Sequence, residues 1–160
     1  MKNILRIGFL SLACILFGCK STKNISPDTF EGRQIRFGSG GGYTGAVTQW
    51  ALLDNGRLWG VSGKPTAVLQ SVGKVPKKAM NSVFAAIDSV DISKPINVPG
   101  NMYRFLEIYD GDGVTKMVWD PSQKGEFTAL DAVFDQLKVI MQEAGPAPIA
   151  TATTESEEEN

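Results

Sequence analysis

A chain of 160 residues, 42% of them apolar and with a net charge of −1, has room for one packed domain. It lacks the clustered Lys and Arg that a nucleic-acid surface needs. There is no histidine, which removes His-based triads, the usual zinc sites and the commonest general base.

The chain opens with the basic stretch Met1 to Arg6, continues with an apolar run from Ile7 to Phe17, and then reaches Gly18-Cys19. A charged start, an apolar centre and small residues at a cleavage point predict a secretory signal over residues 1–18. The run falls short of the roughly 20 apolar residues that a membrane-spanning helix needs. Leu16-Phe17-Gly18-Cys19 resembles a bacterial lipobox. That resemblance implies cleavage before Cys19 and its acylation by fatty acids such as palmitate. The protein is then a tethered domain, held at a membrane because each buried CH₂ contributes ~0.8 kcal/mol. Cys14 departs with the leader and Cys19 carries lipid, so the domain is expected to hold by packing without a disulfide. Polar residues with a single Pro27 make residues 19–28 a lipidated tether.

The first predicted strand runs from Thr29 to Phe37, with Phe30, Ile35 and Phe37 as its apolar members. Gly38 to Gly45 then packs five glycines into eight positions and reads as a loop beside a strand. Val47 to Asp54 is β-rich, and Asp54-Asn55-Gly56-Arg57 predicts a type I′ hairpin that sets Leu53 against Leu58 and Leu52 against Trp59. Ala67 to Val72 can extend the sheet. Pro76 opens a helix whose apolar stripe is Met80, Val83, Phe84 and Ile87 and which ends near Asp88. Lys94 to Asn101 reads as a loop, because Pro95 and Pro99 interrupt regular ladders.

Met102 to Tyr109 and Val114 to Trp119 predict a second hairpin around Asp110-Gly111-Asp112-Gly113. A turn at Gly111-Asp112 sets Glu107 against Lys116, and one at Asp112-Gly113 sets Leu106 against Trp119. The sequence leaves both registers open. A closing helix spans about Phe127 to Met141, with the stripe Phe127, Leu130, Val133, Phe134, Leu137 and Met141. Residues 143–160 are expected to be a disordered acidic tail ending in Glu155, Glu157, Glu158 and Glu159. The expectation is a single α+β domain over residues 29–142. It has an antiparallel sheet of four to five strands with two helices on one face, in ββαββα order.

Three stretches resemble chemical motifs and are read as structure. Gly40-x-Gly42-x-x-Gly45 has the dinucleotide spacing, but a strand rather than a helix follows it. Ser62-Gly63-Lys64-Pro65-Thr66 is similar to the end of a P-loop, yet Pro65 takes the position that would meet magnesium. Asp110-Gly111-Asp112-Gly113 places carboxylates at alternate positions without the later calcium ligands, as a hairpin turn also does. Asp131 and Asp135 lie one turn apart on the closing helix and read as its solvated side. No cofactor, nucleotide, metal or catalytic constellation is expected, and the chain reads as a protein that is not an enzyme.

Phe37-Gly38-Ser39-Gly40-Gly41-Gly42-Tyr43-Thr44-Gly45, followed by Asp54-Asn55-Gly56, resembles a family of small uncharacterised lipoproteins of Bacteroidota. The resemblance covers most of residues 33–141 and implies a cell-envelope location. An acidic cluster after the cysteine tends to mark surface export in that group. Lys20 to Asn24 lacks one, which points to the outer membrane facing the periplasm. The chain is also similar in plan to emfourin, a small protein inhibitor of thermolysin-like metalloproteases. The shared features are a Ser-Gly-Gly-aromatic loop at Ser39 to Tyr43, a Pro-initiated helix, a Pro-Gly loop before an aromatic hairpin, and a closing helix. The candidate contact surface for a protein partner is therefore Gly40, Gly41, Gly42, Tyr43 and Thr44 together with Pro99, Gly100 and Asn101.

Overall fold

The computed structural model describes residues 25–91, 94–111 and 113–150. Apolar residues two apart in four of the strands line one side of a seven-stranded sheet, and two amphipathic helices cover that side. The strands are β1 Gln34–Gly41, β2 Val47–Leu53, β3 Arg57–Gly63, β4 Gln70–Lys74, β5 Ile96–Val98, β6 Met102–Asp110 and β7 Gly113–Trp119. Helix α1, Lys77–Asp88, lies between β4 and β5, and helix α2, Thr128–Ala144, follows β7. The spatial order is β4-β3-β2-β1-β6-β7-β5, so β1 is the central strand. The domain is α+β, but the sheet is larger than the expected four to five strands. It is also mixed rather than antiparallel, since β5 runs parallel to β7, and the element order is ββββαβββα rather than ββαββα.

The core between sheet and helices joins Ile35, Phe37, Trp50, Leu52, Leu58, Leu106, Ile108, Met117 and Trp119 to the helical stripes. Burying each large apolar side chain contributes about 1.5–3 kcal/mol. From α1 come Met80, Val83 and Ile87, and from α2 come Leu130, Val133, Phe134, Leu137 and Ile140. Ile140 takes the buried place expected of Met141, which packs at the margin. On the opposite face a smaller cluster of Val47, Phe105 and Val118 lies under Tyr103.

Several local expectations change. The first strand begins at Gln34 rather than Thr29 and takes in Gly38, Gly40 and Gly41, because both its edges are paired. The first hairpin sets Leu52 against Leu58 and Ala51 against Trp59, one residue away from the type I′ register. Its loop has three residues: the Gly56 N–H donates to Leu53 O at 2.8 Å, and Gly56 alone takes positive φ, at 82°. The Asp54 N–H donates to Arg33 O, and its carboxylate accepts the Arg33 N–H, each at 3.0 Å, which holds the loop against the start of β1. The second hairpin takes the register with Glu107 opposite Lys116 and Asp110 opposite Gly113. The stretch expected to be a loop after Lys94 contains β5, a three-residue edge strand with Pro95 before it and Pro99 after it.

Order also extends beyond both expected limits. Gln34 Nε2 donates to Pro27 O at 2.8 Å and Arg36 pairs with Asp28 at 2.7 Å, so residues 27 and 28, expected to end a tether, sit on the sheet. Helix α2 continues to Ala144, and the Ser62 N–H donates to Pro148 O while the Ala150 N–H donates to Ser62 O. Residues 148–150 thus lie along the outer edge of β3. Residues 1–18, expected to be a signal, Cys19 and residues 151–160 lie outside the described residues. No described helix is long and apolar enough to cross a membrane.

Candidate functional site

Alternate residues of β1 on the face away from the helices are Gly38 and Gly40, and their lack of side chains has a local cause. A Cβ on Gly40 would lie 2.7 Å from the Tyr103 hydroxyl and 2.8 Å from Val47 Cγ2. One on Gly38 would lie 2.0 Å from Thr48 O and 2.9 Å from the Phe105 ring. The two rings, 6.5 Å apart, lie over the glycines of the neighbouring strand, so this half of the motif is packing. Gly40 is buried in β1 and offers a partner no surface.

The other half forms one end of the sheet. Gly41 pairs with Met102, and the next residue, Gly42, takes φ 72° and donates its N–H to Asn101 O at 2.8 Å. Gly45 N–H donates back to Gly42 O at 3.2 Å, and Thr44 Oγ1 accepts the Ala46 N–H at 3.3 Å, which closes a turn over residues 42–46. Tyr43, at its tip, is fully exposed. The structure therefore brings the glycine turn against the Pro99-Gly100-Asn101 loop through a backbone hydrogen bond. Gly100 is pinned from below: a Cβ there would lie 2.2 Å from Asp120 Oδ2. Asp120 accepts the Ser122 N–H at 2.8 Å, and hydrogen bonding from Ser122 holds its carboxyl below the usual range.

Two further residues belong to this surface. Met102 is half exposed, its Sδ lying 3.3 Å from where a Gly42 Cβ would stand, and Val98 is exposed beside the loop at the end of β5. Strand alternation in Met102 to Tyr109 could have marked Met102, but only the pairing of β1 with β6 places it beside the glycines. The resulting tip carries a phenol, a hydroxyl, an amide, a thioether and exposed backbone. An exposed aromatic ring beside polar and thioether neighbours is the kind of surface that protein contacts use.

The remaining motif residues serve the fold. Asp131, expected on a solvated side, accepts from Arg104 Nη1 at 2.6 Å and from Trp119 Nε1 at 3.0 Å. The same guanidinium stands 4.8 Å from the Phe134 ring centroid, so Asp131 joins α2 to β6 and β7. Asp135 pairs with Lys138 at 2.9 Å on the outer side of the helix. Gly42 and Gly45 lead into β2, and Gly63 ends β3. Asp110 pairs with Gly113 at the second hairpin and lies 3.5 Å from Arg33 Nε. Among the described residues no group of three or more His, Cys, Asp or Glu side chains could hold a metal ion. No known family model matches the chain, and no curated protein matches it.

Proposed function

We propose that the chain is a lipid-anchored cell-envelope protein that acts as a non-catalytic binding module. Cys19 carries the anchor, at the outer membrane and facing the periplasm, and the turn over Gly41 to Thr44 with Pro99 to Met102 carries the contact. The observation that supports this reading best is the hydrogen bond from Gly42 N–H to Asn101 O, which joins two loops remote in sequence beneath a fully exposed Tyr43. A pre-formed tip loses little conformational entropy on binding, so its few side chains can still give useful affinity. The partner class is a protein of the envelope, with a thermolysin-like protease as the first one to test.

The test uses the full chain with a photo-crosslinking residue in place of Tyr43, activated in the native envelope. One partner should be captured, and capture should fall when Asn101→Ala or Met102→Ala is added. Labelling no more specific than that from Val139, exposed on the far side in α2, would sink the reading. Absence of inhibition of a thermolysin-type protease at micromolar excess of the chain would remove the inhibitor form alone. A second reading, a structural envelope lipoprotein without a specific ligand, draws on Gly38 and Gly40, whose role is to lie beneath aromatic rings. On that reading Gly41→Ala with Gly42→Ala lowers stability and leaves partner capture unchanged in protein that still folds.

A further inference from the structure

The sheet ends on one side at β4, and what lies around that strand is distinct from the tip. Beyond Gly60 the outer edge of β3 is already covered by residues 148–150, which add to it as a short strand. Below that point β4 takes over the edge, pairing with β3 from Gly60 to Arg57. No backbone hydrogen bond among the described residues reaches the outer side of β4, whose residues are exposed except for half-buried Val72. An uncovered edge strand is a template for another extended chain.

Beside this edge runs a groove of about 410 Å³ between β4 and the end of α2. Its lining is part apolar, with Leu58, Val72 and Val75 from the sheet side and Ile140 and Ala144 from α2, and part polar, with Lys74 and Glu143. At one end cations outnumber carboxylates, although Asp54 shares a hollow with Lys77 there. Arg57 and Lys74 are cross-strand partners, and Lys77 and Lys78 open α1 directly after β4. None of the four has an ion pair among the described residues. The first turn of α1 offers no acidic residue and no side-chain cap. Glu143 is the carboxylate on the groove's wall.

We propose that the edge of β4 and this groove bind an extended peptide segment of another protein. The segment carries one apolar side chain, which fills the groove, and carboxylates beyond it, which meet Arg57, Lys74, Lys77 and Lys78. Main-chain pairing to the edge supplies affinity, and the groove and the cations supply selection. Complementary charge also speeds the encounter and fixes the direction in which the peptide lies. This site lies on the edge of the sheet, away from the tip, and does not depend on the tip's role.

The experiment titrates the full chain into a fluorescent synthetic peptide of alternating threonine and valine with one leucine and a glutamate pair at one end, and follows anisotropy. Saturable binding is expected. Lys74→Glu with Lys77→Glu weakens it about tenfold at low salt, while a probe with lysines in place of its glutamates gains on that variant. The same peptide N-methylated on alternate amides binds neither form, a control that leaves the protein's fold untouched. Equal binding of the N-methylated probe, an affinity indifferent to the charge reversal, or no saturation overturns the proposal. So does self-association of the chain through β4 that the acidic peptide fails to reverse.

Discussion

Tyr103 lies across Gly40, and the contact sets what that position tolerates. A methyl group there meets the phenol and Val47 at distances no pair of atoms keeps, so ring or strand must shift. Gly40→Ala is expected to cost about 1–3 kcal/mol in urea denaturation, the usual range for overpacking. Adding Tyr103→Leu should return part of that loss, and strictly additive effects would refute the ring as the cause. Asp131 is the other residue with a large expected effect. It accepts from both Arg104 and Trp119, so Asp131→Ala strands two donors and should cost about 1–3 kcal/mol. The Arg33–Asp88 pair is a smaller matter, because Asp88 is more than half exposed. The hydrogen bond from Arg33 holds the Asp88 carboxyl below its ordinary value. The unfolded chain therefore binds this proton more readily. The pair stabilises the fold above the ordinary carboxylate range, and its contribution fades as pH falls through the folded value. Asp88→Asn should lower stability at neutral pH by no more than about 1 kcal/mol and make little difference in strong acid. Melting temperatures of both forms across the acid limb measure this.

Both helices begin without a side-chain cap, but only one can gain from receiving one. Pro76 stands at the start of α1, exposed, with extended backbone, and Lys77 and Lys78 follow where the helix dipole disfavours cations. Pro76→Asp should raise stability by about 0.5–1 kcal/mol, read as a shift in the denaturation midpoint. Phe127 holds the same position before α2 but is buried in the core, so Phe127→Asp should destabilise instead. Elements of this kind were legible in the sequence wherever the signal was local. The helical stripes appear there at their spacing, and the second hairpin follows from apolar pairs on either side of a Gly-Asp turn. The structure selects one of that hairpin's two registers. What was not legible depends on remote partners. Gly38 and Gly40 read as loop because the rings that cover them come from β6, far along the chain. The first hairpin takes a three-residue loop because Arg33 and Val75 bond to it from outside: the Gly56 carbonyl accepts the Val75 N–H at 2.8 Å. Ile96–Val98 forms a strand between two prolines only because β7 offers it an edge. At the tip, Tyr43 and Asn101 could be named from composition and turn residues. Their contact, and the presence of Met102 beside them, follow from the central place of β1.

At the scale of the molecule, the two ends of β1 have different neighbours. At one end stand the Gly41–Thr44 turn, Asn101 and Met102. At the other, the chain arrives from its N-terminal side, with Pro27 bonded to Gln34 and Asp28 to Arg36, near the Asp54–Gly56 loop. Eight residues of strand separate the ends, about 23 Å at ~3.3 Å per residue. From Cys19 to Ile25 the chain reaches at most about 20 Å even when fully extended. If Cys19 is acylated, the anchor therefore pulls on the end opposite the tip, and the tip points away from the membrane. On the proposed processing, in which Cys14 would leave with the signal and Cys19 would be blocked by lipid, single cysteines introduced at Tyr43 and at Asn55 would carry a fluorophore cleanly. In vesicles whose lipids bear nitroxide quenchers near the surface, the label at Asn55 should be quenched several-fold more than the label at Tyr43. Equal quenching would overturn this orientation. With Cys19→Ala neither label should be quenched, which separates failure of the anchor from failure of the orientation. A tip held off the membrane in this way would be free to meet the proposed partner, while the β4 edge, running along the sheet between its two ends, would stay open from the side.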